Sequence, residues 1–397
     1  MRSLREASDR KAGLAVVGTA ASGLQFGRLH VSPLTITLAC LLTICATLVA
    51  GLWPFCSPRN QAAWTQDGNG IRFDKHGTAL STGTLSIPDL PACSVEIWVR
   101  PSEVWKKGSI LTFYNHQTDR QFTMEQDFTD LVLRAGDARR DHYRQRQLLV
   151  EDVFRKKQAF ITVTSDGQNT SVYIDGRLAA TGPKLRLSGK DLAGQMIVAN
   201  APLRDHSWPG EVKGLAVYAS HLEPASIEEH YRSLTQKGEP LVNKSEVPVA
   251  VYVFGEHGGN VIHNAVGSGS DLEIPKHFVV VRQLLFEPPV TEFYAEGSYL
   301  KNAAINVAGF IPLGFILAVY FIELRRMRRA GLVTVLVAAS VSIAIEYFQW
   351  YLPTRYSGVT DIITNTLGAW FGVLLYAAAK RLACRCWPEY RGVQASY

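Results

Sequence analysis

The chain has 397 residues, of which 47% are hydrophobic, and carries a formal net charge of +6. Its length allows two domains, and the mean hydropathy of +0.02 averages unlike parts, because apolar runs are concentrated in residues 34–55 and 303–382. Many basic residues lie just outside those runs, which indicates membrane orientation rather than a nucleic-acid-binding face. We therefore expect a multidomain membrane protein with no nucleic-acid partner.

The first predicted element is an apolar helix at residues 34–55, after an N-terminal segment of residues 1–33. Its apolar run is longer than the ~7 to 15 residues usual in a secretory signal, and no small-x-small cleavage pattern follows it. Cleavage remains an alternative, but we expect an uncleaved membrane anchor. Cys56, just beyond it, could pair with Cys93 in an oxidising compartment, and two free thiols are an equally open reading.

A soluble domain is predicted at residues 60–275, followed by a membrane-approach linker at residues 276–302. Short segments with period-two alternation predict its strands. They are Ser94–Arg100, Ser109–Phe113, Leu131–Arg134, Phe160–Thr164 and Ser171–Ile174. Residues 224–234 have apolar residues at helical spacing and predict a short helix.

Ser94–Pro101, Phe160–Thr164, Val172–Arg177 and Trp208–Tyr218 resemble the laminin-G or concanavalin-A-like jelly roll, and these four motifs occur in family order. The resemblance implies an all-β jelly-roll sandwich. That family includes sugar-binding modules, adhesive modules and some glycosidases, so it leaves function open. Val251–Gly259 resembles the motif that usually opens such a domain. It either pairs back onto the sandwich or begins a truncated second copy, and we expect the first because few residues follow it.

Glycosidase chemistry needs two carboxyl groups facing each other, commonly ~5 to 10 Å apart. The chain has no Glu-x-Asp-x-x-Glu run, and Glu96, the only acid in its strand, is expected to face solvent beside Trp98 and Arg100. We therefore expect a binding or structural module. Loop acids such as Asp74 and Asp205 could hold calcium, but no EF-hand-like spacing appears, so no metal and no cofactor are predicted.

Three further spans are predicted within residues 303–382, so the membrane part would be an α-helical transmembrane bundle of four helices. Polar residues recur at helical spacing in each of the three. They are Asn302, Asn306 and Gly309, then Ser342, Glu346 and Gln349, then Asp361, Asn365, Gly368 and Gly372. Interhelical hydrogen bonds explain Asn306 and Asn365 as well as a functional site does, whereas Glu346 needs a specific partner, for which Arg355 is a candidate. Gly368 and Gly372 would let the last span pack closely.

Basic residues flank the predicted spans in three groups, and an even number of spans places all three groups on one side. They are Arg2, Arg5, Arg10, Lys11 and Arg28, then Arg325, Arg326, Arg328 and Arg329, then Lys380, Arg381, Arg385 and Arg391. We therefore expect a cytoplasmic-membrane, multi-pass protein with cytoplasmic N- and C-termini, including a tail at residues 383–397, and an extracytoplasmic sandwich.

Asn306–Phe315, Ser342–Gln349, Pro353–Ser357 and Asp361–Gly368 resemble the VanZ-like membrane family. The first span resembles that family's opening helix, so the sandwich would be an insertion between its first and second helices. The resemblance implies a bacterial envelope role connected with glycopeptide resistance, and marks site positions without a mechanism. Of these, Glu346, Asp361 and Arg355 are catalytic candidates, and the polar binding face comprises Asn306, Gln349, Ser357 and Asn365.

Three hypotheses follow. In the first, which we favour, a non-enzymatic envelope protein binds a glycan or protein ligand through its sandwich, with membrane lipid around its helices and a link to cell-wall or exopolysaccharide biology. In the second, an intramembrane enzyme acts on a lipid-linked glycan at the outer leaflet, with Glu346 or Asp361 as acid/base and Arg355 holding a phosphate. In the third, Glu346 carries protons in a small transporter, although four spans are few and no inverted repeat is visible.

Overall fold

The computed structural model of the protein describes residues 24–26, 29–138, 146–203, 205–238, 243–267, 269–290 and 299–386. The chain divides into two compact units. The helical unit comprises Met1–Gly51, Ala304–Ser342 and Ile363–Tyr397, and the sandwich unit comprises Leu52–Ala303 and Ile343–Ile362. The basic residues of the N-terminal segment lie outside the described residues, as does Arg391.

Six α-helices occur in the described part of the chain. In chain order they are α1 (Pro33–Leu52), α2 (Gly189–Leu192), α3 (Pro224–Arg232), α4 (Tyr299–Val319), α5 (Ala330–Gln349) and α6 (Val359–Cys386). Four of them, α1, α4, α5 and α6, are long and apolar enough to cross a membrane. The Ser32 hydroxyl accepts a hydrogen bond from the Thr35 backbone N–H at 3.1 Å and so caps α1.

Glycines bring α4 and α6 into backbone contact in the helical unit. A Cβ atom on Gly368 would lie 2.2 Å from the Val307 carbonyl oxygen, and one on Gly372 would lie 2.3 Å from that of Ile311. Conversely, a Cβ atom on Gly314 of α4 would lie 2.1 Å from a backbone oxygen of α6. The predicted close packing through Gly368 and Gly372 is confirmed.

A small apolar core in the same unit joins three helices. Ile36 of α1, Ala318 of α4 and Tyr376 of α6 are buried together. Beside them, Glu323 accepts a hydrogen bond from the Tyr376 hydroxyl, and Lys380 Nζ lies 2.7 Å from the same carboxylate. This pairing neutralises a carboxylate close to an apolar cluster, where an unpaired charge would be costly.

The strands of the described chain are short and antiparallel. They are β1 (Leu24–Phe26), β2 (Leu29–Val31), β3 (Ala62–Trp64), β4 (Ile71–Phe73), β5 (Ala79–Ser81), β6 (Cys93–Pro101), β7 (Lys107–Asn115), β8 (Arg120–Asp127), β9 (Asp130–Asp137), β10 (Arg146–Val150), β11 (Ala159–Ser165), β12 (Thr170–Ile174), β13 (Arg177–Gly182), β14 (Gln195–Val198), β15 (Gly210–Tyr218), β16 (Pro248–Tyr252), β17 (Val261–Ile262) and β18 (Leu272–Glu273). The predicted strands lie within β6, β7, β9, β11 and β12, and the predicted short helix is α3.

Two sheets pack face to face. Sheet I has the order β10-β9-β8-β7-β14-β5-β18-β17, and sheet II has the order β13-β12-β11-β6-β15-β4-β3, with β16 also paired to β15. Alternate residues of the two sheets, such as Ile97, Phe113, Phe122 and Val163, are buried between them. The predicted fold class, a β-sandwich with four apolar helices, is confirmed.

The last strands return to the sandwich and do not start another domain. Strand β16 pairs with β15 in sheet II, and β18 pairs with β5 in sheet I. This is the first of the two alternatives that the sequence left open. Cys56 is exposed and Cys93 is buried, and both are free thiols. Burial, with a smaller effect from the charge of Asp191, raises the pKa of Cys93 to about 12.

The expectation that Glu96 faces solvent is wrong, since Glu96 is only 4% exposed. It does lie on the outer face of sheet II, but α3 and the turn Lys244–Glu246 cover that face. Glu96 accepts hydrogen bonds from the Thr162 and Tyr218 hydroxyls, each at 3.1 Å. The imidazole of His230 lies between two carboxylates, with Nδ1 2.9 Å from Glu96 and Nε2 3.1 Å from Glu246.

This cluster predicts that the sandwich loses stability as the pH rises. Burial alone would lower the pKa of His230, but its hydrogen bond to Glu96 and the charges of Glu96 and Glu246 outweigh burial and raise the pKa above 6.5. A raised pKa means that the stabilising contribution is complete below the unfolded value of 6.5 and is lost as the pH rises through the folded value. We expect the melting temperature of the full chain in nanodiscs to fall between pH 6 and pH 9, and His230→Gln to flatten that slope. An equal slope in both proteins would contradict the assignment to His230.

Candidate functional site

The candidate site lies around the inter-helix link, residues 350–358, between α5 and α6. Backbone hydrogen bonds form successive tight turns here, with Leu352 N–H donating to Gln349 O at 2.8 Å and Arg355 N–H to Leu352 O at 2.9 Å. Pro353 has no N–H to continue the helix, and it disfavours helical geometry in the residue before it. The link is therefore a compact turn that presents Arg355.

Glu346 ties the two ends of this turn together. Its side chain is 1% exposed, and its Oε2 atom accepts a hydrogen bond from the Gly358 backbone N–H at 2.9 Å. Gly358 immediately precedes α6, where backbone N–H groups lack helical acceptors and a negative charge is favoured. The carboxylate thus holds the start of α6 against the last turn of α5.

A second segment, residues 283–287, pairs with the link. Glu287 N–H donates to Ser357 O at 2.8 Å, and Val359 N–H donates to Glu287 O at 3.0 Å. The Ser357 hydroxyl accepts from Phe286 N–H at 3.3 Å, and the Trp350 indole donates to the Gln283 carbonyl at 3.1 Å. These bonds fix the link against a segment that follows the sandwich in the chain.

A loop of the sandwich also contacts the link. The Tyr356 hydroxyl donates to the Asp205 carbonyl at 3.3 Å, and Arg282 N–H donates to Pro202 O at 2.8 Å. Together the three segments surround a small pocket that is partly open to solvent. Its walls are Leu203, Val280, Gln283, Leu284, Glu287, Trp350, Pro353, Arg355, Tyr356 and Ser357.

This cavity combines three kinds of chemistry. Arg355 supplies a half-buried guanidinium, which suits the paired oxygens of a phosphate or carboxylate. Trp350 and Tyr356 supply half-buried aromatic rings, which pack against apolar surfaces and carry polar tips. Glu287 is a buried carboxylate in the same wall. Across the described ranges, no group of three or more His, Cys, Asp or Glu side chains could hold a metal ion.

The predicted site residues fall in both units. In the sandwich unit, Arg355 and Ser357 line the cavity, Glu346 and Gln349 are buried in α5, and Asp361 is half-buried in the first turn of α6. In the helical unit, Asn365 is buried and its Nδ2 atom donates to the Ser342 hydroxyl at 2.9 Å. Asn306 is half-buried in α4.

Among the polar and aromatic cavity residues, sequence reasoning did not single out Gln283, Glu287, Trp350 and Tyr356. The first two lie in the segment interpreted as a linker, Trp350 follows directly after Ser342–Gln349, and Tyr356 lies within Pro353–Ser357. A signal was available, because Glu287 is an acid within a mostly apolar run and is followed by Pro288 and Pro289. Proline favours extended backbone in the residue before it, which suits pairing with the link.

Comparison with known families divides the chain into two matched regions. Residues 74–228 match the concanavalin A-like lectin/glucanases superfamily, and residues 252–380 match the VanZ/LLP1 family. The second match begins in β16, upstream of the three C-terminal apolar helices. Protein VanZ of Enterococcus faecium is 33% identical over 92 residues, which cover 23% of this chain and 53% of VanZ. The chain therefore spans about half the length of this curated relative.

Two examples illustrate the similarity of the chain to solved structures. One is a candidate carbohydrate binding protein from Bacteroides ovatus ATCC 8483, with 10% identity, a TM-score of 0.35, and coverage of 57% of this chain and 62% of that chain. The other is the CBM40 of Ruminococcus gnavus IT-sialidase bound to α2,3 sialyllactose, with 13% identity, a TM-score of 0.31, and coverage of 41% and 95%.

The family matches agree with the two resemblances seen in the sequence, which are confirmed, and the four apolar helices agree with a membrane location. The chain is therefore a membrane protein in which residues 74–228 match the concanavalin A-like lectin/glucanases superfamily and residues 252–380 match the VanZ/LLP1 family.

Proposed function

We propose that this protein is a non-enzymatic component of a bacterial envelope that binds an anionic glycan, or a lipid that carries one, at the outer surface of the cytoplasmic membrane. One observation carries the proposal: the cavity at Arg355 is built jointly by a loop of the lectin-like sandwich, the segment after it and the inter-helix link. Cell-wall glycans and exopolysaccharides are the ligand classes that fit, and the proposal includes a link to glycopeptide resistance.

The charge distribution supports an extracytoplasmic sandwich. Four arginines, Arg325, Arg326, Arg328 and Arg329, lie between α4 and α5, and Lys380, Arg381 and Arg385 lie near the end of α6. The inter-helix link, between the opposite ends of α5 and α6, has Arg355 as its one basic residue. Basic residues are retained on the cytoplasmic side, so this asymmetry favours cytoplasmic termini and an external link.

Preorganisation of the cavity supports binding. Trp350 and Ser357 are held by hydrogen bonds to the segment of residues 283–287, and Tyr356 by one to the Asp205 carbonyl, so the ligand would not have to order them. The guanidinium of Arg355 would pair with the phosphate or carboxylate of the ligand, and the aromatic rings would cover the apolar face of a sugar ring.

The proposal predicts that Arg355→Ala weakens glycan binding strongly. Loss of a hydrogen bond to a charged group removes about 1.5 to 3 kcal/mol, which is roughly a 10- to 150-fold change in Kd. The measurement is titration of the full chain in nanodiscs with a polyprenyl-diphosphate-linked oligosaccharide, and separately with the free anionic oligosaccharide. Arg177→Ala, at an exposed position on β13, is the matched control and should bind like the natural protein. Equal binding by both variants, or no binding by the natural protein, would refute the proposal.

The intramembrane enzyme stays as a second candidate because the buried Glu346 carboxylate is bonded to Gly358, next to the cavity residue Ser357. Glu346→Gln separates the two functions, since glutamine still accepts the Gly358 hydrogen bond but cannot transfer a proton. Mass spectrometry of the lipid-linked glycan after incubation is the readout. A substrate consumed by the natural protein and spared by Glu346→Gln would favour the enzyme, and a substrate left intact by both would favour binding alone.

A further inference from the structure

An aromatic patch is exposed on one rim of the sandwich. Trp105 is 75% exposed and Phe128 is 43% exposed, and their ring centroids are 6.4 Å apart. Lys107 Nζ lies 4.6 Å from the Phe128 ring centroid. We define the aromatic patch as Trp105, Lys106, Lys107 and Phe128. Large aromatic side chains that are adjacent and exposed to solvent indicate a contact surface.

A buried side chain holds the two loops of the patch together. Gln126 Nε2 lies 3.0 Å from Glu103 O, 3.2 Å from Val104 O and 3.0 Å from Phe128 O. Its Oε1 atom accepts a hydrogen bond from the buried Trp208 indole at 2.6 Å. Gln126 therefore fixes the loop before β7 to the loop after β8, and both to the sandwich core.

The backbone of Phe128 is also constrained. Its φ of 57° lies in the left-handed region, which is costly for a bulky residue, and its N–H donates to Lys106 O at 3.0 Å. Such a conformation persists only where the surroundings enforce it, and it often accompanies function. Here the enforced conformation accompanies a phenylalanine that stays exposed beside Trp105.

The residues that flank the patch loop are tied to the sandwich loop before β15. Ser102 N–H donates to Pro209 O at 3.1 Å, and Ser109 N–H donates to His206 O at 2.9 Å. The Asp205 carbonyl, in the same loop of the sandwich, accepts a hydrogen bond from the hydroxyl of Tyr356, which lies between α5 and α6. The loop between β6 and β7, which carries Trp105, and the inter-helix link thus contact the same loop within the sandwich unit.

The two chain segments that enter and leave the sandwich are paired with each other. After α1 ends, the chain reaches the sandwich at Asn60, whose N–H donates to Lys276 O at 3.2 Å, and Phe278 N–H donates to Pro58 O at 2.9 Å. Close by, His76 lies 3.6 Å from Asp205. The paired segments at residues 58–60 and 276–278 therefore lie near the loop that contacts the patch.

Charge around the patch is balanced. Lys106 lies 3.6 Å from Glu103, and Lys107 lies 2.7 Å from Asp127. The charges of the two lysines and the two carboxylates cancel, so the patch has no net positive charge to attract an anionic partner. A neutral surface that presents Trp and Phe beside lysine stems instead fits the membrane–water interface, where aromatic rings sit at the level of the head groups.

We propose that Trp105 and Phe128 insert into the head-group region of the phospholipid bilayer and hold the sandwich against the membrane surface. This contact would restrict the sandwich to one orientation relative to the bilayer, with Trp105 and Phe128 facing the membrane. It needs neither a glycan nor Arg355, so it stands or falls separately from the proposed binding function.

Lipid-dependent quenching tests the contact in the full chain. A fluorescent amino acid replaces Trp105 in one sample and the exposed Gln168, at the turn after β11, in the matched control. Each protein is placed in phosphatidylcholine nanodiscs with or without lipids spin-labelled near the head group. We expect position 105 to lose about half of its emission and position 168 to lose almost none. Equal emission with and without the quencher at position 105 would overturn the proposal.

A second measurement separates membrane contact from ligand binding. Trp105→Ala and Phe128→Ala are each tested for binding of the oligosaccharide probes used for Arg355. Unchanged binding together with quenching at position 105 supports the membrane contact. Lost oligosaccharide binding without quenching would overturn it and make the patch a sugar-binding surface.

Discussion

Gly314→Val is expected to prevent correct assembly of the helical unit, whereas Gly309→Val on the same helix is expected to be tolerated. A Cβ atom at position 314 would lie 2.1 Å from the Ala369 carbonyl oxygen and 2.6 Å from the Ala369 Cα atom. These are backbone atoms of α6 and can move only if the helix moves. Nothing lies within 4 Å of a Cβ atom at position 309.

Both substitutions change helix propensity equally, so their difference isolates the packing of α4 on α6. Overpacking of a core typically costs about 1 to 3 kcal/mol, and a clash with backbone belongs at or above the upper end of that range. The measurement is the yield of monodisperse protein in detergent, followed by its melting temperature. Equal yield and equal melting for the two variants would show that the helices do not approach as closely as described.

Glu96→Ala is expected to destabilise the sandwich far more than Glu228→Ala. The first removes a carboxylate that accepts from two hydroxyls and pairs with His230, and leaves a buried imidazole with one of its two carboxylates. Breaking a buried pair in this way costs about 3 to 5 kcal/mol. Glu228 is 53% exposed and pairs with Arg232 one turn along α3, a contact that contributes at most about 0.5 kcal/mol.

Thermal unfolding of the full chain in nanodiscs, followed by tryptophan fluorescence, measures this difference. For a domain of this size about 2 to 4 °C of melting temperature corresponds to 1 kcal/mol, so Glu96→Ala should lower it by roughly 6 to 20 °C. Glu228→Ala should shift it by no more than about 2 °C. Glu96→Gln, which keeps the acceptor but not the charge, should fall between the two. A Glu96→Ala protein that melts like Glu228→Ala would mean that the buried cluster contributes nothing to stability.

The buried cluster around Glu96 also shows what an alternating strand pattern can and cannot predict. Alternation in Ser94–Arg100 correctly predicts that Glu96 faces away from the sandwich core. It cannot show that α3, more than a hundred residues later, covers that face and supplies His230. Glu96 therefore faces away from the core and is still buried, because α3 lies over it.

The candidate cavity has a similar division. Glu346, Arg355 and Ser357 lie close together in the chain, so their spacing was enough to single them out. Glu287 joins them through backbone pairing with Ser357 and Val359, and Gln283 through the Trp350 indole hydrogen bond, across roughly seventy positions of sequence. Such non-local pairing leaves no periodic signal in either segment.

The sequence by itself determined the local features of this protein: four apolar runs long enough to span a bilayer, strands with period-two alternation, and the glycines that let α4 and α6 touch. These depend on the length, period and side-chain size of short segments. Only the tertiary structure decided which outward faces are covered, which segments build the Arg355 cavity, and which aromatic residues stay exposed. The physical reason is that burial and presentation depend on partners far away in sequence, as Gln126 shows by fixing Trp105 and Phe128 on one rim.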